Sequence, residues 1–574
     1  TLGQAPAVSL TVPQYNSSYI SGSELNIQAS TTTPTGTTVT KVEFYLDTNF
    51  FSGGIGNPTY GTKLGEDLTA PYSLTWTAPT LVAPATSRSY FIRAVVTNSA
   101  SGTAISNPTV YYNAITVNSP TYTNSRNWYV SVAAPTTNTA GTEAAPLNTI
   151  QKAADRVAPG DTVFVMAGTY TGTGINIVGI QRTGLPNKWI VFRPYKTDKP
   201  VLQMGNNNFN AFNILPAAAY IKIQGFEIIG NNANITLTQA QAQPGACEGP
   251  NKTATPIARF NGNGIAVSGQ RGGNLRPHHV VIANNSVHDC AGGGFSSIEA
   301  DYVTVEDNLS YNNSWYTVYG TSGISLFNSW NYDNSTEVKM IVRRNRCYGN
   351  MLKIAWNIGG TGTNCKFYDG NGIILDNNKA VDPNRPTVVK NALGDYTGKF
   401  LLENNICYKN GGRGINVNYT DNTLITNNST YQNGQSDGGP GIGIESEFIA
   451  QGSDNIRVYN NIFYGRPGEK VTEVNSSTIA HNNNLTFEGT GTPYFSGNQN
   501  IVGRNPLFVD AAGGDFRLTS SSPAINAGSA ISGQYAAKDI LGTNRPLGAG
   551  VDIGAYEFQG TPIAITQQPV SSSA

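Results

Sequence analysis

The sequence is short of charge and of long apolar runs, and each shortage excludes a class of protein. Charged residues make up 13% of the 574, with 36 basic and 36 acidic, whereas about 25% is usual. Because no basic stripe stands out, we expect no nucleic-acid partner. No apolar run approaches the roughly 20 residues of a membrane-spanning helix, so we expect no membrane insertion. The chain begins TLGQAPAVSL and shows no signal peptide. Its low charge fits a secreted, extracellular protein whose signal has been removed, and we expect it to act as a monomer.

Cysteine and histidine are also scarce. Five cysteines and four histidines are too few for a disulfide scaffold or for a histidine-based metal site. Cys347 and Cys407 occupy equivalent positions in the similar segments RNRCYGN and NNICYKN, which predicts a buried stack. The other three, Cys247, Cys290 and Cys365, fall in predicted loops or turns, where one pair can form a disulfide. The P-loop, GxSxG and HExxH motifs are absent.

Glycine (63 residues) and tyrosine (29 residues) are plentiful, as in a turn-rich β protein. Residues 1–119 contain alternating strand-like stretches such as ELNIQAS, KVEFYLD and SYFIRAVVTN. This alternation predicts a half-buried antiparallel β-sandwich. The segment resembles the bacterial Ig-like modules of secreted enzymes, which implies a spacer or binding role rather than chemistry.

One amphipathic helix is predicted after the sandwich, in LNTIQKAADRVAPG. Its apolar residues recur at helical spacing: Ile150, Ala153, Ala154 and Val157. Asn148 or Thr149 is the expected N-cap, and Pro159 ends the pattern before the strand TVFVMAG. A helix followed by a strand is typical of the N-terminal cap of a parallel β-helix, which covers an otherwise exposed core and sheet edge.

Six aligned segments form an internal repeat that predicts a solenoid. Each contains an asparagine followed three residues later by Tyr or His. The asparagines are Asn285, Asn308, Asn345, Asn405, Asn428 and Asn461. Stacked in register, their amides hydrogen-bond from one coil to the next. A second strand, glycine followed by an apolar residue, precedes each copy. The longest insertions are at 331–338, 351–369 and 379–399, around DGNGIILDNN.

Alternation along these second strands points one set of side chains away from the core. In 370–377 it sends Asp376 outward, and in 441–448 it sends Glu445 and Glu447 outward. Glu299 is expected at the outer end of its strand. Asp376 lies two coils from Glu445 and two from Glu299, about 9.5 Å at the spacing of parallel strands. Inverting glycosidases hold their carboxyls about 6.5–9.5 Å apart and retaining ones about 5–5.5 Å apart, so an inverting pair is favoured.

The remaining candidates surround Asp376, and each has a structural alternative. Asp369 either completes a carboxylate cluster, binds Ca²⁺ or opens an Asx-turn. Asp376 is either a catalytic acid or base, or a solvated aspartate at the end of its strand. Arg413 either holds an acidic sugar or caps a turn. Asn416 and Asn418 point outward and are expected to contact substrate. Four aromatic residues either stack on sugar rings or pack under the long loops: Trp315, Tyr316, Trp330 and Trp356.

The repeats and both ends of residues 120–558 resemble the pectate-lyase-like family of right-handed parallel β-helix proteins, with 559–574 as a linker stub. The fold class is therefore expected to be all-β, an Ig-like sandwich followed by a capped solenoid. The resemblance implies action on long polysaccharides. Its lyases use a Lys or Arg base and often Ca²⁺; its hydrolases use paired carboxylates, some on sulfated glycans such as carrageenan or fucan.

None of the outward strand positions is Lys or Arg, which favours a hydrolase. We therefore expect an endo-acting, inverting glycoside hydrolase on an acidic or sulfated polysaccharide, needing no cofactor. A polysaccharide lyase assisted by Ca²⁺ and a non-catalytic glycan-binding solenoid remain the alternatives.

Overall fold

The computed structural model describes most of the chain. The described residues are 6–14, 17–20, 23–47, 62–79, 87–100, 103–105, 113–118, 125–270, 273, 275–436, 446–476, 479–490 and 493–560. Within them, no helix is long and apolar enough to cross a membrane.

The N-terminal region forms a two-sheet sandwich. One sheet is antiparallel and consists of Ala7–Val12, Glu24–Thr32 and Tyr72–Thr77. The other consists of Ser17–Ile20, Asn113–Asn118, Ser87–Asn98, Val39–Asp47, Thr62–Asp67 and Thr103–Ile105. Their inner faces share one core that includes Ile27, Phe44, Trp76 and Ile92. The predicted sandwich is therefore confirmed.

The predicted capping helix is present but short, Ile150–Ala154, and it begins at Thr149, whose side chain accepts a hydrogen bond from the Lys152 backbone. Ile150, Ala153 and Ala154 are buried in the core of the following domain. Four other short helical segments lie in loops: Asn232–Asn234, Leu237–Gln241, Ala258–Asn261 and Ile358–Gly360.

Three long parallel sheets follow, of 11, 11 and 9 strands, and most coils of the chain contribute one strand to each sheet. The first sheet is Asn127–Val130, Thr162–Val165, Ile190–Pro194, Ala219–Gln224, His278–Ala283, Asp301–Glu306, Val338–Arg343, Lys399–Glu403, Thr423–Thr426, Ile456–Tyr459 and Ile479–Asn482. The second is Gly168–Tyr170, Pro200–Gln203, Glu227–Ile229, Ser286–His288, Leu309–Tyr311, Arg346–Tyr348, Ile406–Tyr408, Ser429–Tyr431, Ile462–Tyr464, Leu485–Phe487 and Ile501–Val502. The third is Asn176–Ile180, Asn210–Ile214, Asn263–Ser268, Phe295–Ile298, Ile324–Phe327, Ile373–Asp376, Ile415–Asn418, Phe448–Gln451 and Thr472–Asn475. This is a parallel β-helix, as the repeat predicts.

The asparagine column forms a continuous ladder at the turn between the first and second sheets. Each side-chain oxygen accepts hydrogen bonds from the backbone and the amide of the preceding asparagine; for example, Asn345 Oδ1 accepts from Asn308 N at 3.0 Å. The ladder continues past the predicted members to Asn484 and Asn500. Because these amides are buried, pairing them removes a desolvation cost from every coil.

A second ladder, which the sequence reading missed, lies at the next turn. It is Asn313, Asn350, Asn410 and Asn433. Its last acceptor is a carboxylate: Glu447 receives the Asn433 backbone at 2.8 Å and the Asn433 amide. Glu447 is fully buried, so the expectation that it faces outward is wrong.

The strand expected at 441–448 is also misplaced, since the strand of that coil is Phe448–Gln451, paired with Ile415–Asn418. The carboxylate of Glu447 takes the ladder position and fixes this register. Glu445 lies outside the described residues, so its outward orientation stays a prediction.

The insertions form ordered structure beside the third sheet. Trp356–Asn357 pairs with Cys365–Lys366, and Cys365 forms a disulfide with Cys247. Val381–Asp382 pairs with Arg385–Val389. Cys347 and Cys407 are in register on adjacent strands and buried, as predicted, and Cys290 is a buried free thiol.

The C-terminal segment folds back onto the outer face of the second sheet. Its hairpin, Phe508–Asp510 with Asp515–Leu518, packs Phe516 against Tyr408 and Tyr431 of that sheet. This segment packs on the last coils of that sheet.

Candidate active site

The outward face of the third sheet places Asp376 in a row of unlike side chains. Ile373 and Leu375 belong to the core, while Asp376 stands between Phe327 and Asn418 on the adjacent strands. A second outward row, one step earlier along the strands, includes Ser325, Ile374, Asn416 and Ile449. The alternation used on the sequence therefore holds at this coil.

Asp376 is a half-buried carboxylate whose environment favours a proton. Burial raises the pKa of Asp376 to about 6, although a hydrogen bond from Asn418 and the charge of Lys390 act in the opposite direction. The Asn418 amide donates to Asp376 Oδ1 at 2.7 Å. This predicted substrate contact is thus a direct partner of the predicted catalytic group.

Asp369 lies four residues before the same strand, Ile373–Asp376, and is more deeply buried. The Asn371 amide donates to its Oδ1 at 2.9 Å. Burial raises the pKa of Asp369 to about 7, and the charge of Asp376 raises it further, whereas Arg413 and the Asn371 hydrogen bond lower it. The two carboxyls are therefore close enough to influence each other's protonation.

Gly320 permits a close approach at Asp369. A Cβ atom at this position would lie 2.2 Å from Asp369 Oδ2 and 3.0 Å from Trp356 Cε3. Only a residue without a side chain leaves room for both groups. The indole of Trp356 and the carboxyl of Asp369 thus flank the same glycine, so Trp356 is the predicted aromatic residue that reaches the site.

Arg413 is buried beside these carboxyls rather than capping an exposed turn. Its backbone N–H donates to Asn371 Oδ1 at 3.0 Å, and its guanidinium donates to Glu473 at 3.2 Å. Ser446 Oγ lies within hydrogen-bond distance of both Arg413 and Glu473. Burial raises the pKa of Glu473, but Arg413 and Lys470 outweigh it and hold that pKa below its usual value.

Lys390 and Glu473 are two site residues that the sequence reading missed. Lys390 follows the Val381–Val389 hairpin, is half-buried, and places its Nζ 3.8 Å from the ring centroid of Tyr419. Its charge lowers the pKa of Asp376. Lys390 could have been found from its position in the longest insertion. Glu473 could have been found from the strand in VTEVN, one coil beyond the last strand that the sequence predicted for this sheet.

Two family models match the chain: a bacterial Ig domain at residues 6–144 and a right handed beta helix region at residues 351–529. The chain joins a bacterial Ig domain to a right-handed β-helix. The match to the Ig domain extends past the first β-helix strand, Asn127–Val130. No curated protein matches the chain.

Several solved structures are similar to this two-domain chain. Pectate lyase Pel9A is 15% identical, with 76% of this chain and 97% of that chain covered and a TM-score of 0.43. XylC in complex with xylose is 12% identical, covering 76% and 99%, with a TM-score of 0.37. The A-module of the Azotobacter vinelandii mannuronan C-5 epimerase AlgE4 is 14% identical, covering 60% and 89%, with a TM-score of 0.28. At these values the likeness carries no information on activity.

The β-helix does not bring every predicted residue to this site. Glu299 follows the strand two coils before Asp376, is buried, and pairs with Arg276 at 3.4 Å. The guanidinium of Arg276 lies 5.7 Å from the ring centroid of Trp330. These three residues form a separate group on the same side of the β-helix.

Trp315 and Tyr316 pack under the insertions. Tyr316 is buried in a small apolar cluster with Phe260, Val318 and Ile354, and Trp315 packs against that cluster. Trp315 also donates to the Gly349 carbonyl at 3.1 Å. Within the described part of the chain, no group of three or more His, Cys, Asp or Glu side chains is arranged to hold a metal ion; Ca²⁺ binding at Asp369 stays a prediction.

Proposed function

We propose that the protein is a secreted glycoside hydrolase that cleaves within an acidic or sulfated polysaccharide, such as a fucan or carrageenan, with inversion. The observation that carries the proposal is the pair Asp369 and Asp376. Both pKa values are raised, to about 7 and about 6, so near neutral pH one carboxyl is protonated while the other is ionised. That combination is what acid–base hydrolysis of a glycosidic bond needs.

The roles follow from the two pKa values. Asp369, with the higher value, donates its proton to the glycosidic oxygen as the bond to the anomeric carbon breaks. Asp376 takes a proton from a water molecule, whose oxygen forms the new bond to that carbon from the opposite face. The products are a new reducing end and a free hydroxyl group, after which solvent returns both carboxyls to their starting states.

Inverting enzymes hold their two carboxyls about 6.5–9.5 Å apart, with a water molecule between them, and inversion is proposed on that model. Asp369 lies four residues before the strand Ile373–Asp376. Burial raises the pKa of Asp369 and the charge of Asp376 raises it further, which supports a pair of neighbouring carboxyls.

Two cations support an acidic substrate. Arg413 and Lys390 lie beside Asp369 and Asp376 and influence their pKa values. A guanidinium binds carboxylate or sulfate groups through paired hydrogen bonds. The Cys247–Cys365 disulfide supports export to an oxidising compartment.

A polysaccharide lyase is the second candidate, and Lys390 is the observation that favours it. A lysine near a bound uronate is suited to take the proton at C5, so that the chain breaks by elimination and leaves a double bond. The third reading, a glycan-binding solenoid without catalysis, predicts binding with no cleavage.

A panel of neutral, uronic and sulfated polysaccharides tests these readings. We expect new reducing ends on an acidic polymer, no ultraviolet absorbance from unsaturated products, and NMR signals of the inverted anomer in the first minutes. Unsaturated products would instead establish the lyase, and retained configuration would overturn the inverting mechanism. Binding without any new reducing end would overturn both enzyme assignments.

A further inference from the structure

A cavity opens on the second sheet, away from the candidate active site. It has a volume of about 380 Å³ and lies where the C-terminal segment meets that sheet. Its lining residues are Arg346, Gly513, Gly514, Asp515, Arg517, Leu541 and Tyr556. The volume is within the usual range of small-molecule sites, about 300–1,000 Å³. We call this cavity the Arg346 pocket.

The pocket carries more positive than negative charge. Arg517 is matched by Asp515, with Arg517 Nε 2.9 Å from Asp515 Oδ1 and 3.1 Å from Oδ2. Arg346 makes no ion pair of this kind in the described part of the chain: Arg517 first, and Arg346 as a further charge, lower the pKa of Asp515. The neighbours of Arg346 on the adjacent strands are Leu309 and Ile406. Among the described residues, no carboxylate lies within 4.0 Å of its guanidinium, which donates to the Tyr556 hydroxyl.

The arrangement holds the Arg346 guanidinium in place for a ligand. Arg346 and Tyr348 point outward from one strand while Cys347 between them is buried, so the arginine stem stands beside stacked tyrosine rings. Tyr348 stacks on Tyr311 at 4.9 Å and on Tyr408 at 4.8 Å between ring centroids. A guanidinium fixed in this way loses little conformational entropy when it binds a planar or tetrahedral anion.

We propose that the Arg346 pocket binds one anionic sugar unit, through a carboxylate or sulfate group that accepts hydrogen bonds from Arg346. The exposed Leu541 offers the sugar ring an apolar contact. The pocket is on a different sheet from Asp369 and Asp376 and is a separate site, but the choice of a sugar as its ligand rests on the proposed function. The site would hold an acidic glycan at a second point on the molecule.

Calorimetric titration of the full chain tests the proposal with four probes: galacturonate, galactose 6-sulfate, galactose and inorganic sulfate. We expect both anionic sugars to bind, and galactose to bind at least about tenfold more weakly because it lacks the charge-assisted hydrogen bonds. Arg346→Gln should weaken binding of both anionic sugars by about tenfold or more, and Arg346→Lys by less, since it keeps the charge but not the fork.

Two control variants locate the binding. Arg343→Gln removes a cation on the neighbouring first-sheet strand that is already paired with Glu306 at 2.7 Å, and Arg413→Gln changes the candidate active site; both should leave the Arg346-dependent binding unchanged. Equal affinity of Arg346→Gln and the unaltered chain for galacturonate would overturn the proposal. Inorganic sulfate binding as tightly as galactose 6-sulfate would overturn the assignment of a sugar ligand.

Discussion

The asparagine ladder and the outward row through Asp376 belong to the same coils but follow opposite rules. The ladder repeats one residue from coil to coil, and its amides are paired from Asn285 to Asn500. The outward row changes at nearly every coil: Ser268, Ile298, Phe327, Asp376, Asn418, Gln451 and Asn475. Repetition marks a requirement that every coil shares, and a break in repetition marks a position free to serve one site.

The two regions also use burial differently. In the ladder, each buried polar group has a partner of the same kind, so burial costs little. At Asp369 and Asp376, burial is only partly compensated, and the pKa values rise to about 7 and about 6. The comparison predicts that ladder variants lose stability and that site variants lose activity.

The largest expected effect is the loss of activity in Asp376→Asn and in Asp369→Asn. Each variant removes a proton donor or acceptor, so we expect the rate of cleavage to fall by about 10²–10⁴-fold. Both raised pKa values destabilise the fold as pH rises from about 4 through 7, because the folded carboxyls must then give up their protons. Each variant should therefore be at least as stable as the unaltered chain at pH 8, measured by thermal unfolding.

Glu299→Gln is the matched control, because Glu299 is a buried carboxylate two coils away that already pairs with Arg276. We expect it to retain activity within about tenfold. Loss of activity in Glu299→Gln as large as in Asp376→Asn would move the site along the sheet and contradict the pairing of Asp369 with Asp376.

The second effect is on stability, in Asn345→Ala. Asn345 accepts from Asn308 N and donates to the Val305 carbonyl at 2.9 Å, and its loss leaves several buried groups unpaired. We expect a loss of roughly 2–4 kcal/mol in the free energy of unfolding, measured by denaturant titration. Asn455 is exposed, donates to Asn422 at 2.8 Å and has a left-handed backbone with φ 54°, so Asn455→Ala should cost about 1 kcal/mol, mainly through backbone strain. Equal costs would mean that burial of the ladder is not what stabilises the coils.

The sequence was sufficient for the fold because the fold is set by what repeats. The asparagine column, the capping helix and the alternating strands of the sandwich each satisfy a local rule that needs no knowledge of distant residues. Asp376 was predictable for the same reason, since alternation from Ile373 and Leu375 fixes the direction of its side chain.

The other residues of the site depend on how the insertions fold, and the sequence repeat does not predict this. Lys390 reaches Asp376 only because the hairpin before it folds back over Tyr419. The error at 441–448 was avoidable: eight residues separate Ile415 from Thr423 and Phe448 from Ile456 in equivalent strands, whereas the expected strand breaks this spacing. The register was difficult to recognise because Glu447 occupies a ladder position that asparagine holds in the other coils.

The glutamate at this ladder position gives the third prediction: Glu447→Gln should change the pH dependence of stability. Burial raises the pKa of Glu447 to about 7, against hydrogen bonds from Asn433. The protonated form therefore stabilises the fold below about pH 4, and this contribution is lost as pH rises through 7. The variant should lose less stability between pH 5 and pH 8 than the unaltered chain does; the loss that remains comes from Asp369 and Asp376, which titrate in the same range. A parallel loss in both proteins would mean that Glu447 is not the titrating group.

The smallest expected effect is in Lys390→Gln, which asks whether the hairpin belongs to the site or only covers it. Lys390 lowers the pKa of Asp376, so its removal should raise that pKa and shift the acidic limb of the pH–rate profile upward by less than about one unit. The limb set by Asp369 should stay in place. Lys409→Gln is the matched control, since that lysine binds the Ala512 carbonyl beside the second sheet. An unchanged acidic limb in Lys390→Gln would show that Lys390 does not act on Asp376. If the unaltered chain gives unsaturated products and Lys390→Gln loses nearly all activity, Lys390 is instead the base of a lyase.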